Sequence, residues 1–436
     1  KQAEQNLQAM AFQDQYIIGD LENTAPANLL EDLYTGAHPY APFGLSPLMD
    51  TLDIYHTNPR LFYVPRQPAL GKYNEDFGDE LYMIEEHPSE GHEDLASFGY
   101  AEDIESTFDL LDNLRDDEKY RVDTDAYIRA RLFDMLIGDW DRHQDQWRWA
   151  EFEDEETGNV VYRPIPRDRD QAFSIMGDGL IGSILTRLVP GVKKMEGFNE
   201  EIRNIRTFNT NPFSLDMTLL GGTTRSQWQE QARIIRERVT PEVIESSLEG
   251  IPPEVRGTTS IRIRETLLAR LGSLDHFANT YFEVLQRYLV VAGTDKDDWF
   301  EIHSLPDGGV SVKAYRNIQG AKSKLFFERT LQPGLTREIW VFGLDDGDRF
   351  DLNLARESKI KVRIVGGLGE DRYLTTSGAK AVVYDHASAD NRFDGPGRVR
   401  KVLTDNYLVN TFQPLNLASF TSQLLPTAGF NPDDGM

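Results

Sequence analysis

The sequence predicts an α+β protein: a mostly helical lobe with a small strand pair before it, followed by a separate β domain that reads as a short β-solenoid. Three observations predict this. Apolar residues recur at helical spacing through much of residues 101–292, and they alternate at strand spacing from about Gly293 onwards. Within the second region a Gly- and Asp-rich octet recurs. A chain of 436 residues also exceeds what one hydrophobic core fills. The expected units are 1–100, 101–292, 293–405 and a linker, 406–436.

Residues 1–57 read as helix and loop, with amphipathic pieces at Gln5–Phe12 and Ala27–Tyr34 and a turn-rich connector at Pro39, Pro42 and Pro47. Leu61–Val64 and Leu81–Glu85 read as two strands around a polar loop. Ala101–Asn113 is a candidate helix. Thr124–Ile137 is a stronger one: Ile128, Leu132, Met135 and Leu136 form one stripe, and Asp123 is placed to cap it. Asn159–Pro164 and Gln171–Ile175 look like short strands. Helices return at Gln227–Val239, Pro241–Leu248 and Thr259–Tyr288. Strands follow at Trp299–Ile302, Val310–Ala314, Glu338–Phe342, Ile360–Val365 and Lys380–Tyr384.

The octet Gly343–Phe350 (GLDDGDRF) aligns with Gly366–Tyr373 (GGLGEDRY), and Asp390–Phe393 (DNRF) echoes both. Each follows an apolar strand, as in stacked solenoid turns. Gly366–Asp371 resembles a single calcium-binding turn of the RTX type, which makes Asp371 a candidate calcium ligand. The plainer reading is that Gly and Asp supply tight turns between strands.

Composition narrows the function. Acidic residues outnumber basic ones 72 to 46, a net charge of −26 that repels phosphate backbones and argues against nucleic acid as a partner. With no cysteine, disulfides, thiolate metal sites and a cysteine nucleophile are excluded. No apolar run reaches the ~18 residues of a membrane helix. Lys1 opens a polar segment, so the chain reads as cut from a longer precursor.

The densest chemical signal is Leu136–Trp149 (LIGDWDRHQDQWRW). Asp139, Asp141, His143 and Asp145 crowd it, interleaved with Trp140, Trp147 and Trp149. Carboxylates this close repel unless a cation or arginine lies between them. A second acidic run, Arg163–Phe173 (RPIPRDRDQAF), follows in a strand-like context. This order of helix, acidic loop, strand and second acidic turn suits phosphoryl transfer. That reaction needs one carboxylate at the acceptor hydroxyl, and a carboxylate with an amide on the metal that neutralises the phosphates. Arg163, Arg167 and Arg169 either bind phosphate or neutralise Asp139, Asp145, Asp168 and Asp170 in a structural ion-pair network. Trp147 and Trp149 alternate and are expected on opposite faces of a strand, in the core. His56, beside Asn58-Pro59, reads as a turn residue.

Asp141–Gln146 (DRHQDQ) resembles the Asp-Arg-His-x-x-Asn catalytic loop of phosphatidylinositol kinases and secretory-pathway kinases. Ile137–His143 (IGDWDRH) is similar to a motif of HipA-like kinases, and Asp168–Phe173 (DRDQAF) resembles the Asp-x-Gly-x-Ala-Phe turn of secretory-pathway kinases. The resemblance implies a kinase-like lobe using magnesium or manganese and ATP. Position by position, Asp141 falls at the catalytic aspartate, Gln146 at the metal-binding asparagine and Asp168 at the metal-binding aspartate, with Asp170 as a further metal ligand. His143 supports the loop or takes part in catalysis. The sequence departs from the pattern at Gln146 for Asn and Asp170 for Gly. No nucleotide-anchoring lysine is evident: Lys1 and Lys72 are the only lysines before residue 100. Glu31 is the candidate acidic partner on a small-lobe helix, at the cofactor.

A wider resemblance rests on His56–Pro59 (HTNP), Pro68–Tyr73 (PALGKY) and Arg131–His143. These are similar to envelope proteins of Bacteroidetes that join a metallophosphoesterase region to a BamA/TamA-type barrel. Gly429–Gly435 looks like the entry to the first barrel strand. The resemblance implies a location on the periplasmic side of, or at, the outer membrane. It also implies a barrel in the same polypeptide and room for an envelope protein partner. Three functions follow as expectations: a metal-dependent phosphotransferase, a non-catalytic pseudokinase-type interaction module, and a divalent-metal hydrolase on the same carboxylates.

Overall fold

The computed structural model describes residues 36–92, 94–175, 193–355, 358–376 and 381–417. Glu31, the two N-terminal helical pieces and the expected barrel entry lie outside the described residues. Within them the protein is α+β, with strands in four separate sheets.

The expected strand pair is present. Strand β1 (Arg60–Val64) runs antiparallel to β2 (Glu80–Ile84), with Arg60 opposite Ile84 and Val64 opposite Glu80. It stands apart from the cores: Leu61, Phe62, Tyr63, Leu81, Met83 and Ile84 are all exposed.

The second sheet comprises β3 (Asp103–Ser106), β4 (Tyr120–Val122), β5 (Trp147–Asp154) and β6 (Asn159–Pro166), in the order β3-β5-β6-β4. The helix expected from Ala101 starts later, as α1 (Thr107–Asp116). Ser106 caps it by accepting from Asp109 N, which ends the preceding strand. Trp147 and Trp149 do not face opposite sides. Residues two apart on a strand share a face. Both indoles are buried, 6.2 Å apart, and Tyr127 packs on each.

Helix α2 (Thr124–Ile137) has the expected bounds. Asp123 accepts from Ala126 N at its start, and Gly138 ends it in the left-handed conformation (φ 79°). The single buried stripe is a correction: Arg131 and Asp134 are buried as well, because each finds charged partners inside the protein. Helices α3 (Phe213–Leu220), α4 (Arg225–Arg238) and α6 (Gly257–Gln286) pack on α2, and α5 (Pro241–Glu249) packs on α6. Thr224 and Gln227 form a reciprocal capping box on α4, and Thr240 caps α5 ahead of Pro241. The strand expected at Gln171–Ile175 is instead a turn. Phe173 adopts φ 58° and donates its amide to Ile137 O, at 3.0 Å, which breaks any ladder.

The remaining strands form a two-sheet parallel solenoid. One sheet stacks β7 (Tyr288–Ala292), β11 (Glu338–Leu344), β13 (Lys361–Gly367), β15 (Ala381–Asp385) and β17 (Arg400–Leu403). The other stacks β8 (Asp298–Ser304), β12 (Arg349–Asn353), β14 (Arg372–Thr375) and β16 (Arg392–Asp394). The antiparallel strands β9 (Val310–Ile318) and β10 (Ala321–Leu331) extend it. The first strand starts at Tyr288, inside the segment expected to be helix. The sequence repeat is the turn of the solenoid: Arg349 pairs with Arg372 and Phe350 with Tyr373. Phe300, Phe350, Tyr373 and Phe393 stack at 5.0, 5.0 and 4.7 Å. Alternation along β7 and β11 joins the two regions. Leu289 and Val341 face the core between the sheets, whereas Val290 and Phe342 face the helical core.

The segment from Asn406, expected to be a loose linker, is anchored over its described part. Leu417 is buried and donates its amide to Ser214 Oγ at 3.1 Å, and Thr218 donates to Pro414 O at 2.9 Å.

Candidate functional site

The left-handed turn at Gly138 carries the chain out of α2 into the loop Asp139–Gln146, which feeds β5. The β5–β6 hairpin brings the chain back, with Trp147 opposite Pro166, so Asp168 returns beside Gln146. Gln146 Nε2 donates to Asp168 Oδ2 at 2.9 Å. Asp168 holds φ 50°, an uncommon conformation for a non-glycine residue, at the point where the second acidic run turns away from the sheet.

The carboxylates fall into two sets. Asp134 and Asp139 are fully buried among arginines. Arg169 contacts both, at 2.5 and 3.4 Å, and Arg142 reaches Asp139 at 3.4 Å. Arg131 pairs with Asp134 and, at 3.0 Å, with Asp216, which also accepts from Tyr127 and Tyr281. Burial pushes Asp139 up to about 7 despite the opposing pull of Arg142 and Arg169. This set is the ion-pair network expected of the arginines, but its membership differs. Of the three arginines named from the sequence, Arg169 serves Asp139, whereas Arg163 pairs with Asp123 at 3.4 Å. Arg142 does the rest: it also ties the two loops by donating to Arg167 O and Gln146 O, at 2.6 and 2.9 Å.

Asp141, Asp168 and Asp170 form the second set. Among the described residues none of them has an arginine or lysine within salt-bridge distance. Asp168 has the Gln146 amide, and Asp141 Oδ1 accepts from Asn211 Nδ2. Asp170 is pushed up to about 6 by partial burial of its carboxyl, then by the negative charges of Asp168 and Asp141. That repulsion places the three carboxylates in one field. Gln146 is 6 % exposed and its Oε1 is buried without a hydrogen-bond partner. An orphaned carbonyl oxygen beside an aspartate is the donor pair a hard cation takes. Among the described residues, no group of three His, Asp or Glu side chains converges closely enough to hold a metal ion by itself.

His143 serves the loop. Its Nδ1 accepts from Asp145 N at 3.3 Å, and its Nε2 lies 3.4 Å from Gln146 Nε2. His56, expected to be a turn residue, lies outside any turn. It is buried, with its ring nitrogens 3.0 Å from Asp50 Oδ1 and 2.9 Å from Thr57 O. With Met49, Thr57, Met83 and Glu85 it faces Asp168 and Arg169 across a small pocket between the first hairpin and the acidic turn. The enclosed space is about 20 Å³, room for roughly one water molecule.

Three residues that matter here had little signal in the sequence. Asn211 and Lys194 lie well beyond both acidic runs and reach Asp141 only through tertiary packing: Lys194 Nζ donates to Asn211 Oδ1 at 2.7 Å. Arg142 sits in the motif, but its spacing alone does not reveal that it turns inward.

Compared with family models, curated proteins and solved structures, the chain matches none of them.

In the solenoid, Asp371 is buried and already engaged. Its Oδ1 accepts from Asp348 N at 2.9 Å, and its Oδ2 lies 3.3 Å from the Tyr373 hydroxyl. The same contact recurs along the stack. Asp298 N donates to Asp348 Oδ1 at 2.7 Å, and Asp371 N to Asn391 Oδ1 at 2.8 Å. Each side chain thus closes the corner of the neighbouring turn, the structural role of a turn aspartate.

Proposed function

We propose that the chain carries a kinase-like, metal-dependent phosphotransferase site at Asp141, Gln146 and Asp168. The observation that carries this reading is the segregation of the carboxylates. Arginines pair with Asp134 and Asp139, while Asp141, Asp168 and Asp170 have no arginine or lysine within salt-bridge distance among the described residues, and Asp168 meets Gln146, whose Oε1 is orphaned.

The residues fit a magnesium or manganese ion. Asp168 and Gln146 Oε1 would hold it, with Asp170 in support, and it would neutralise charge on the phosphates of a nucleoside triphosphate. Asp141 would accept the proton of an acceptor hydroxyl as that oxygen bonds to the terminal phosphorus. The bond from that phosphorus to the bridging oxygen breaks, and the nucleoside diphosphate leaves with the electron pair. Asn211 fixes Asp141 through one carboxylate oxygen. His143 holds the loop that carries Gln146.

A second reading is a non-catalytic module that binds an envelope partner. The narrow pocket at Asp168 and the exposed apolar hairpin β1–β2 favour it. Attachment to an outer-membrane barrel in the same polypeptide, and a periplasmic-side location, belong to both readings. The test is turnover. The protein with manganese and ATP should release ADP, alone or with a hydroxyl acceptor, and Asp141→Asn should abolish the release. ADP release that persists in Asp141→Asn would refute the assignment.

A further inference from the structure

Lys194 reaches the proposed base through one side chain, that of Asn211, and the proposed reaction gives it no role. Its Nζ donates to Asn211 Oδ1 at 2.7 Å, Asn211 donates in turn to Asp141, and the ammonium lies 5.4 Å from the centre of the Trp140 ring. It is half-buried, so one side of it remains open to solvent. Among the described residues it forms no ion pair with a carboxylate. Burial lowers its proton affinity and the charge of Asp141 raises it. A partly desolvated ammonium without a counter-ion gains when an anion arrives.

We propose that Lys194 is an anion-binding residue of the site, meeting a metal-chelated polyphosphate beside Asp141. The surrounding charges decide the form of the ligand. A bare phosphate entering here meets Asp141, Asp168 and Asp170, which repel it. The same phosphates carried with a divalent cation are neutralised on the side of Asp168 and meet Lys194 on the side of Asp141. The ammonium thereby supplies the fixed positive charge for which no lysine before residue 100 is a candidate. Asn211 couples the two functions, because the amide that orients the carboxylate also orients the ammonium. The proposal rests on the phosphotransferase reading for its ligand class but not for the identity of the nucleotide.

The test is the accessibility of the Lys194 amine in the full chain. Pulse reductive methylation is read by peptide mass spectrometry with manganese alone, tripolyphosphate alone, manganese tripolyphosphate and manganese ATP. Manganese tripolyphosphate should slow modification of Lys194 about tenfold, and either component alone should not. Lys194→Gln should weaken manganese ATP binding about tenfold or more, and Lys194→Arg should recover most of it. Unprotected Lys194 in manganese tripolyphosphate overturns the proposal. So does equal affinity of wild type and Lys194→Gln for manganese ATP, which leaves the phosphotransferase reading standing. Protection by manganese tripolyphosphate without any by manganese ATP keeps the anion site and removes the nucleotide from the reading.

Discussion

Gln146 donates its side-chain amide to Asp168 across 2.9 Å and leaves its own carbonyl oxygen buried and unpartnered. The contact joins the loop that ends α2 to the turn that follows β6. It also holds ready the two side chains on which metal binding would depend.

Replacing Gln146 tests that arrangement. Gln146→Leu keeps the volume and removes both the donor to Asp168 and the orphaned oxygen. Manganese affinity should fall by roughly 10- to 100-fold, the usual range for loss of a group that orients or supports a ligand. Titration of manganese in the presence of ATP reads it. An unchanged affinity would mean that Gln146 serves the loop alone.

The buried arginine network predicts a stability effect. Arg131 contacts Asp134, Asp216 and Asn209 and is fully buried. Arg131→Met leaves two buried carboxylates short of a partner and should cost about 3–5 kcal/mol in urea unfolding. A loss below about 1 kcal/mol would show that the network contributes little.

In the solenoid, Phe350 lies between Phe300 and Tyr373, 5.0 Å from each ring. Phe350→Ala opens a gap in the middle of the stack and should cost about 3–5 kcal/mol. Phe393, near the end of the stack and only half-buried, should cost less when truncated. Equal costs would argue against a stack whose interior rungs dominate.

The stacked carboxyls make the solenoid sensitive to base. Burial pushes Asp298 up to about 7 and Asp371 up to about 8, and it raises Asp348 well above the carboxylate range. The Tyr373 hydroxyl has one proton for two carboxyls, Asp371 and Asp385, so a proton on one of them satisfies both contacts. The folded state therefore holds more protons than the unfolded chain between about pH 4 and 8. Stability is full below the unfolded value and is lost as pH rises through the folded values. Asn391, which takes the next position in the stack, is the neutral counterpart of a protonated aspartate. Asp348→Asn should accordingly raise the melting temperature at about pH 9 and flatten its pH profile. A lower melting temperature at that pH would reverse the sign of the account.

The elements set by local spacing were legible in the sequence. Asp123 and Gly138 bracket α2, and the Asp-Arg-Phe echo became the register of the solenoid because a parallel stack aligns like residues. The strand expected at Gln171–Ile175 failed because local pattern does not encode the positive φ of Phe173 or its bond to Ile137. Trp147 and Trp149, expected on opposite faces, share one because residues two apart on a strand point the same way. At the candidate site, the motif named Asp141, Gln146 and Asp168, and the structure brings Gln146 and Asp168 into contact. The motif did not separate the carboxylates that arginines pair with from those without such a partner. That distinction depends on Arg142 turning inward and on Asn211 and Lys194, which arrive from distant parts of the chain.

The most direct test of the central claim is calorimetric titration of the protein with manganese and ATP. The expected result is binding to the wild type, none to Asp168→Asn, and nearly unchanged binding to Asp141→Asn, since in the proposed site the first aspartate would neutralise the ion and the second would face the acceptor. No binding to the wild type, with both substitutions merely lowering the melting temperature, would contradict it and leave the acidic loops as a structural ion-pair network.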